Sequence, residues 1–257
     1  MQQRPGRQRR VHGQTSCDGG VVVVHEAVHS QAARDGGLAL VLGPAGDGGA
    51  LSLWGPADRA TPLSVDFLAG RQGYRLAADR ARHERLVKAL GRCRDGVQGV
   101  LDLTAGLARD AALMAAAGYP VSMVERQPVL HALIADALAR AQGQGAAALL
   151  TLLDNGDAAT LTLPAGPWHA VYLDPMFPAR GKSAAVKQDL QWLQQLCPYP
   201  DDDEERRLLD VALAVPARKV VIKRPRRAPP LAGRAPHHVL EGKTVRFDVY
   251  NGMAVNS

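Results

Sequence analysis

Small and acidic residues follow a predicted buried strand near residue 102. The stretch from Asp102 to Asp110 reads Asp-Leu-Thr-Ala-Gly-Leu-Ala-Arg-Asp, with Gly106 in a turn before a predicted helix. Small residues let the backbone pass close to a ligand, and the N–H groups of the first helical turn suit a carboxylate. Asp102 is placed to accept a hydrogen bond from a cationic amine. The stretch predicts a site for a ligand with both groups, although a tight strand–helix turn without a ligand would use the same residue types.

A second acid stands at the end of the next predicted strand. Glu125 follows Asp102 by 23 positions, and a carboxylate there can accept hydrogen bonds from both hydroxyls of a ribose. The Gly-x-Gly-x-x-Gly pattern of nicotinamide enzymes and the Walker pattern with its lysine are both absent. Glu125 therefore favours a ribose-bearing cofactor of another class.

The most specific chemical signal is the loop Asp174-Pro-Met-Phe-Pro, which follows the predicted strand Ala170–Leu173. The Asp174 carboxylate and a backbone carbonyl of a loop stiffened by Pro175 can accept hydrogen bonds from an exocyclic amine. Phe177 can stack on a flat base and hold its plane. Such a site aims a nitrogen lone pair at a sulfonium methyl group, so the loop predicts an N-methyltransferase that uses S-adenosylmethionine (SAM). A proline-rich turn that only caps the strand is the alternative.

Strands and helices alternate from Val97 onward, which predicts an α/β fold with a parallel sheet and helices on both faces. Ligands bind such sheets at the carboxyl ends of the strands, where both motifs lie. We predict three parts: a disordered basic tail at 1–19, a small N-terminal α+β subdomain at 20–72, and a Rossmann-like methyltransferase domain at 73–257. The helix pattern of Gly73–Leu90 would link the last two, and the strand pattern of Leu63–Phe67 would belong to the subdomain.

Composition sets broad limits on the chain. It has 257 residues, 46% of them apolar, and no apolar run of the roughly 18 residues that a membrane span needs. An N-terminus with arginines but no apolar segment predicts no secretory signal, so we expect a cytoplasmic protein. Three scattered cysteines predict neither a disulfide framework nor a thiolate zinc site.

Basic residues cluster near the predicted active site, in a chain whose formal net charge is +6. Lys223 ends the predicted strand Lys219–Lys223, and Arg224 and Arg226 follow it. This strand should end at the same sheet edge as the motifs. Lys182 and Lys187 come shortly after Asp174. We predict that these five residues contact the phosphates of an RNA substrate, although a solvated basic loop would have the same composition.

Taken together, these motifs resemble the RsmJ family of ribosomal small-subunit RNA (guanine-N2)-methyltransferases. The resemblance covers roughly residues 20–252. It rests on Asp102–Asp110, Glu125-Arg126, Asp174–Pro178, Lys182-Ser-Ala184, Lys223-Arg-Pro225, Ala228–Leu231 and Arg246–Tyr250. It implies a substrate in 16S ribosomal RNA or the 30S particle, with guanine N2 as the methyl acceptor. The target base would have to leave its stack to reach the pocket.

The resemblance also implies which residues hold SAM: Arg109, Asp110, Glu125, Arg126, Asp174 and residues after the third strand. At that last place the family commonly has a pair of serines, whereas this chain has Gly156 and Asp157. Asp157 can still accept a hydrogen bond from the adenine amine. Ala108 stands where the family commonly has a second glycine.

Three alternatives stay open at this point. The same chemistry could act on another nucleic acid or on a protein amide, and the chain could be a non-catalytic RNA-binding homologue. His25 and His29 match His-Glu-x-x-His, the zinc-binding helix of metallopeptidases, but lack an obvious third ligand. A chance match on a solvated helix is the favoured interpretation, and we predict no metal site.

Overall fold

The computed structural model describes residues 15–17, 21–23, 40–44, 49–54, 63–68, 78–93, 96–176, 196–197 and 199–252. Its chain divides into two compact units, residues 1–64 and residues 65–257. The predicted helix Glu26–Arg34, the two histidines of the zinc-like motif and nearly all of the predicted helix Ser183–Leu196 lie outside the described residues.

The first unit contains a four-stranded sheet in the order β1-β2-β3-β4. Its strands are β1 (Thr15–Cys17), β2 (Val21–Val23), β3 (Leu40–Pro44) and β4 (Leu51–Trp54). β2 and β3 are parallel, and the other two pairs are antiparallel. β1 places a strand inside residues 1–19, where composition had predicted disorder, because its backbone pairs with β2.

The second unit is built on a seven-stranded sheet in the order β10-β11-β9-β8-β5-β6-β7. The strands are β5 (Gln98–Asp102), β6 (Val121–Met123), β7 (Leu150–Leu152), β8 (Trp168–Leu173), β9 (Lys219–Pro225), β10 (His238–Glu241) and β11 (Val245–Asn251). The five neighbouring strands β9, β8, β5, β6 and β7 are parallel. β11 pairs antiparallel with β9, and β10 pairs antiparallel with β11, so the two form a hairpin at that edge. This arrangement confirms the predicted Rossmann-like fold.

Helices connect these strands. They are α1 (Ala78–Ala81), α2 (Arg85–Leu90), α3 (Arg109–Ala116), α4 (Pro128–Ala141) and α5 (Asp202–Ala214), with 3₁₀ turns at Gly145–Leu149 and Leu231–Gly233. Proline begins α4, where its missing N–H costs nothing. Asp201 and Glu204 cap α5 reciprocally, each side chain accepting a hydrogen bond from the other's backbone N–H.

The core of the second unit lies beneath its central strands. Leu101 on β5, Val171 and Leu173 on β8, and Ile222 on β9 are fully buried and belong to one apolar cluster. β8 is buried at every position, as a strand covered on both faces should be. Chain order reverses between β5 and β8, so the carboxyl ends of these two strands form the crevice where a ligand is expected.

Two predicted elements differ from those observed. Leu63–Phe67 forms only a single bridge, from Leu63 to Leu53, instead of a strand. Backbone groups further along it are engaged elsewhere, because Arg140 donates to the carbonyl of Val65 and the Asp66 side chain accepts from the N–H of Leu68. The Val65 carbonyl is therefore bonded to a side chain instead of to a neighbouring strand.

The predicted helix Gly73–Leu90 is also interrupted. Residues 82–84 form a turn between α1 and α2, in which His83 and Glu84 donate their backbone N–H groups three residues back. The turn leaves Arg82 and His83 exposed, while Ala81 and the apolar side of α2 are buried. The apolar spacing is compatible with one helix or two, so the sequence pattern could not locate the break.

Candidate active site

A cavity of about 1150 Å³ opens at the carboxyl ends of the parallel strands in the second unit. It is lined by most of the residues predicted for the site: Asp102, Gly106, Arg109, Asp110, Glu125, Arg126, Asp157, Asp174, Pro175, Lys223 and Arg224. Gly156 and Arg226 are outside the lining, and Phe177, Lys182 and Lys187 lie outside the described residues. The structure therefore brings the two opening motifs into one site.

Asp102 ends β5 with its side chain buried, 1% exposed, and its Oδ1 accepts a hydrogen bond from the Thr104 N–H at 3.0 Å. Burial, reinforced by the nearby carboxylates of Asp110 and Asp174, raises the pKa of Asp102 to about 8. A cation placed beside this carboxyl group would favour its ionised form and lower its pKa. The site therefore suits the amine that the sequence predicted at this position.

Thr104 joins the two motifs. Its Oγ1 accepts a hydrogen bond from the backbone N–H of Asp174 at 2.6 Å, while its own N–H binds Asp102. This link fixes the start of the loop after β8 against the turn after β5. Sequence reasoning missed Thr104, because a threonine in a small-residue turn fits an ordinary turn equally well.

Glu125 follows β6 and connects it to the turn after β5. Its Oε2 accepts from the Gly106 N–H at 2.6 Å, and its Oε1 accepts from the Gln127 N–H at 2.7 Å. Burial raises the pKa of Glu125, against these two hydrogen bonds, which lower it. Each carboxylate oxygen has a second lone pair, so a ligand hydroxyl can still bind on the cavity side.

The loop after β7 holds the end of β6 from the other side. Asn155 donates through Nδ2 to the Glu125 carbonyl at 2.8 Å, and the Gly156 N–H reaches the same oxygen at 3.2 Å. A Cβ at Gly156 would lie 2.8 Å from Leu161 Cδ2, so the Leu161 side chain would have to shift to admit one. Gly156 thus supports Glu125 by its backbone, while Asp157 lines the cavity and its Oδ1 accepts from the Ala159 N–H at 2.8 Å.

Four polar side chains form a cluster at the centre of the cavity. Lys223 donates from Nζ to Asp110 Oδ2 and to Asp174 Oδ2, both at 2.7 Å. The Tyr172 hydroxyl donates to the same Asp110 oxygen at 2.6 Å. Asp110 belongs to the first turn of α3 and Asp174 to the loop after β8, so the cluster ties both motifs to β9.

Lys223 brings a positive charge next to the two carboxylates of this cluster. Burial raises the pKa of Asp174, the Lys223 ammonium lowers it, and Asp110 adds a smaller upward effect. The net result is a pKa of about 6. Burial also disfavours the ammonium, but the Asp174 and Asp110 carboxylates outweigh it and raise the pKa of Lys223. Asp174 is therefore mainly ionised at neutral pH and can accept a hydrogen bond from a substrate.

The two predicted arginine ligands stand at the edge of the cavity. Arg109 is exposed at the start of α3. Arg126 forms an ion pair with Glu204 Oε1 at 3.1 Å, at the capped start of α5. Both guanidinium groups are accessible to a ligand in the cavity.

The three basic residues predicted at the end of β9 have different environments. Successive side chains of a strand point to opposite faces, so Lys223 faces the carboxylate cluster while Arg224 turns away from it. The Arg224 side chain is 2% exposed, donates twice to the Pro229 carbonyl and lies 3.6 Å from Glu205 Oε1. This burial does not suit a phosphate contact. Arg226 is exposed and pairs with Glu241 at 3.1 Å.

Two general features accompany the site. Within the described part of the chain, no group of three histidine, cysteine or acidic residues is arranged to hold a metal ion. None of the helices described combines the length and apolar character needed to cross a membrane.

Comparison with known proteins finds similarity to methyltransferases. The SAM_MT family of SAM-dependent methyltransferases matches residues 33–252. A protein from Alcanivorax borkumensis named ribosomal RNA small subunit methyltransferase J is 56% identical over 215 residues, 83% of this chain and 84% of that protein. One of the same name from Chromohalobacter salexigens is 40% identical over 250 residues, 90% of this chain and 95% of its own length.

A solved structure supports the same assignment of fold. A SAM-dependent methyltransferase from Neisseria gonorrhoeae superposes with a TM-score of 0.66 and 26% identity, covering 91% of this chain and 97% of the other. The match extends over nearly the whole length of both chains.

Proposed function

This chain belongs to the ribosomal RNA small subunit methyltransferase J family of SAM-dependent methyltransferases, and on that premise we propose that it methylates the exocyclic N2 of a guanosine in 16S ribosomal RNA. One observation carries the proposal: Asp174, whose Oδ2 lies 2.7 Å from Lys223 Nζ, lines the same cavity as Asp102 and Glu125. An acceptor for an amine is thus combined with acceptors for a cofactor.

The residues present fit SAM. Asp102 would bind the amine of the methionine moiety, the first turn of α3 with Arg109 would bind its carboxylate, and Glu125 would bind the ribose hydroxyls. Arg126 and Asp157 would lie nearer the adenine. When bound, SAM supplies a methyl group on a sulfonium centre. The cavity exceeds the range of about 300–1,000 Å³ of ordinary small-molecule pockets, which leaves room for a base as well.

Asp174 would orient the substrate nitrogen. Its carboxylate and the backbone of the buried Pro175 can accept hydrogen bonds from the two amine hydrogens, which directs the nitrogen lone pair toward the methyl group. Methyl transfer would form an N–C bond and break the bond between the methyl group and the sulfonium sulfur, with a neutral thioether as the leaving group. The alkylated nitrogen is acidic, and the Asp174 carboxylate could take up the proton that it loses. Phe177, outside the described residues, would stack on the base.

The substrate would be 16S ribosomal RNA, either free or within the 30S particle, and the site of action the cytoplasm. A guanine in folded RNA must be turned out of its stack to reach Asp174, a step that costs a few kcal/mol. Lys182 and Lys187, which follow Asp174 in the chain, are candidates for contacts with phosphates near the displaced guanine.

Transfer of a labelled methyl group to small subunits that lack the modification tests this function. We expect Asp174→Asn to lower kcat by about 10²-fold or more, the range for a lost proton acceptor. SAM affinity, measured by calorimetry, should change far less than kcat. Asp210→Asn, the same change at an exposed position of α5, serves as the control and should behave as wild type.

Two results would overturn the proposal. One is an Asp174→Asn variant as active as the control. The other is a wild-type protein that binds SAM but leaves small-subunit RNA unlabelled.

A further inference from the structure

Two segments without any predicted site residue contribute basic side chains to the cavity. Arg80, His83 and Arg85 come from α1, the turn after it and the start of α2, and Lys243 comes from the tip of the β10–β11 hairpin. All four are exposed. We call these four residues the basic rim.

The basic rim is one continuous surface, because its two segments are in contact. The Arg85 guanidinium donates to the Glu241 carbonyl at the end of β10. Its Cδ lies 3.4 Å from the position that a Cβ would occupy on Gly242. The hairpin tip is itself joined to the end of β9, since the Arg226 N–H donates to the Thr244 carbonyl at 3.0 Å.

The hairpin segment of the rim lies on the side of the cavity that contains Lys223 and Asp174. β11 pairs with β9, which carries Lys223, and β9 pairs with β8, which leads into Asp174. The predicted SAM ligands Glu125 and Asp157 follow β6 and β7. These strands lie beyond β5, toward the other end of the strand order. A substrate that approaches Asp174 from the side away from these ligands therefore passes the rim.

The charge of the rim differs from that of the cavity floor. Asp102, Asp110, Glu125 and Asp174 give the floor an acidic character, which suits the cationic groups of SAM. At the rim, acidic side chains are also present, but Glu241 is paired with Arg226 and Glu84 is only partly exposed. A concentration of cationic side chains at a cavity mouth attracts and orients a polyanion.

From this arrangement we propose that the basic rim binds the RNA phosphates that flank the target nucleotide while its base enters the cavity. The inference rests on the proposed function and adds a binding surface to it. Phosphate contacts set the register of the backbone, so the rim would position the displaced base against Asp174 without reading its sequence. It would be a positioning surface, distinct from the residues that touch the reacting atoms.

Salt-dependent RNA binding by the full-length protein tests this surface. The variant Arg80→Gln/Lys243→Gln removes one charge from each segment of the rim, and Lys88→Gln removes one exposed charge from α2 outside the cavity as a control. Each lost phosphate contact should reduce the slope of log K against log salt by about 0.7–0.9, and the affinity at 0.15 M salt by about fivefold. The double variant should therefore lose about 25-fold in affinity and about 1.4–1.8 in slope.

Catalysis and folding are checked in the same experiment. SAM affinity of the double variant should stay within twofold of wild type, while KM for RNA rises. Lys243→Arg, which keeps the charge, should retain wild-type RNA affinity.

The outcomes separate the two proposals. If wild type methylates small-subunit RNA and the double variant has the salt slope of Lys88→Gln, the rim proposal is wrong and the proposed function stands. If wild type neither binds nor methylates this RNA, the proposed function fails, and the rim proposal fails with it. Loss of RNA affinity without a change in slope would also contradict phosphate binding.

Discussion

At the scale of single residues, the carboxyl group of Asp174 is under two opposing influences. Burial raises its pKa, and the Lys223 ammonium, 2.7 Å from Oδ2, lowers it, which leaves the pKa at about 6. A lysine in this place lowers the pKa of a carboxyl group that burial would raise further. Lys223 lies among the carboxylates of the cavity, and its phosphate contact stays a prediction.

The pH dependence of activity should report this arrangement. Because the proposed acceptor is ionised Asp174, kcat/KM should rise with pH through about 6 and level off above it. Lys223→Met removes the charge that lowers this pKa, so the rise should move to higher pH by about 1–3 units. Methyl transfer measured from pH 5 to pH 9 gives both profiles.

Lys223→Arg and Lys88→Met are the matched controls for this prediction. The first keeps a cation in the cluster and should keep the rise near that of wild type, and the second removes an exposed charge elsewhere. Unchanged profiles in all three variants would show that Lys223 does not govern Asp174.

Ala108, which stands where the family resemblance implies a glycine, has a backbone conformation that favours glycine. It lies at the N-cap of α3 with φ of 53°, in the left-handed region that favours glycine. An alanine in this conformation costs about 1–2 kcal/mol, and the structure retains it with the side chain fully buried. The backbone angle at this position therefore favours the glycine that the family resemblance implies.

A pair of identical substitutions tests this explanation. Ala112→Gly, in the interior of α3, should cost about 2 kcal/mol, from lost helix propensity and one buried methyl group. Ala108→Gly loses a similar methyl group but relieves the strained backbone, so the free energy of unfolding should change by less than about 1 kcal/mol. Denaturant titration of both variants gives the comparison, and equal losses would contradict it.

Site residues were predictable where one residue type has a distinctive position at a strand end. Asp102, Glu125 and Asp174 could be recognised in this way, and all three line the cavity. Thr104 and Tyr172 could not, because their hydroxyls bind partners from distant parts of the chain. A sequence shows no trace of such pairings before the strands are assembled.

At the scale of elements, the β5–β6 pair limits how the first motif is placed. A Cβ on Gly99 would lie 1.8 Å from the Pro120 carbonyl oxygen, and that oxygen accepts the N–H of the neighbouring Val100 at 2.8 Å. The two chain segments can approach this closely only if residue 99 has no side chain. The register that brings Asp102 beside Met123 depends on this contact.

Gly99→Ala should therefore disturb the fold and the site together. We expect a loss of about 3 kcal/mol in the free energy of unfolding, at the upper end of overpacking effects, with weaker SAM binding. Thr151→Ala, at an exposed position of β7, should cost less than about 0.5 kcal/mol. Chemical denaturation and calorimetry measure the two effects, and a fully stable Gly99→Ala variant would contradict the packing argument.

Element prediction worked best where periodicity and end signals agreed. Pro128–Ala141 has a proline at its first turn, and the observed helix has the predicted bounds. The prediction of one helix over Gly73–Leu90 was wrong within the described residues 78–90, because the stripe of apolar residues fits two short helices with a turn between them. The predicted strand at Leu63–Phe67 was wrong, because the segment forms one bridge at Leu63 and its Val65 carbonyl accepts from the distant Arg140 side chain.

At the scale of the methyltransferase unit, the order of the strands explains the division of the cavity. β5, β6 and the loop after β7 supply the acceptors proposed for SAM, while β8 and β9 lead to Asp174 and Lys223, and the hairpin contributes Lys243 of the rim. The change in strand order between β5 and β8 places the boundary between these halves at Thr104 and Asp174. Alternation of strands and helices predicted this edge, but the contribution of the hairpin required the complete sheet.

Nucleoside analysis of the labelled RNA tests the central claim most directly. Purified protein would be incubated with methyl-labelled SAM and small subunits that lack the modification, and the RNA would then be digested to nucleosides. The account predicts label in N2-methylguanosine, derived from one position of the RNA, and none with Asp174→Ala. Label in methyladenosine or in protein, or equal labelling by Asp174→Ala, would contradict it.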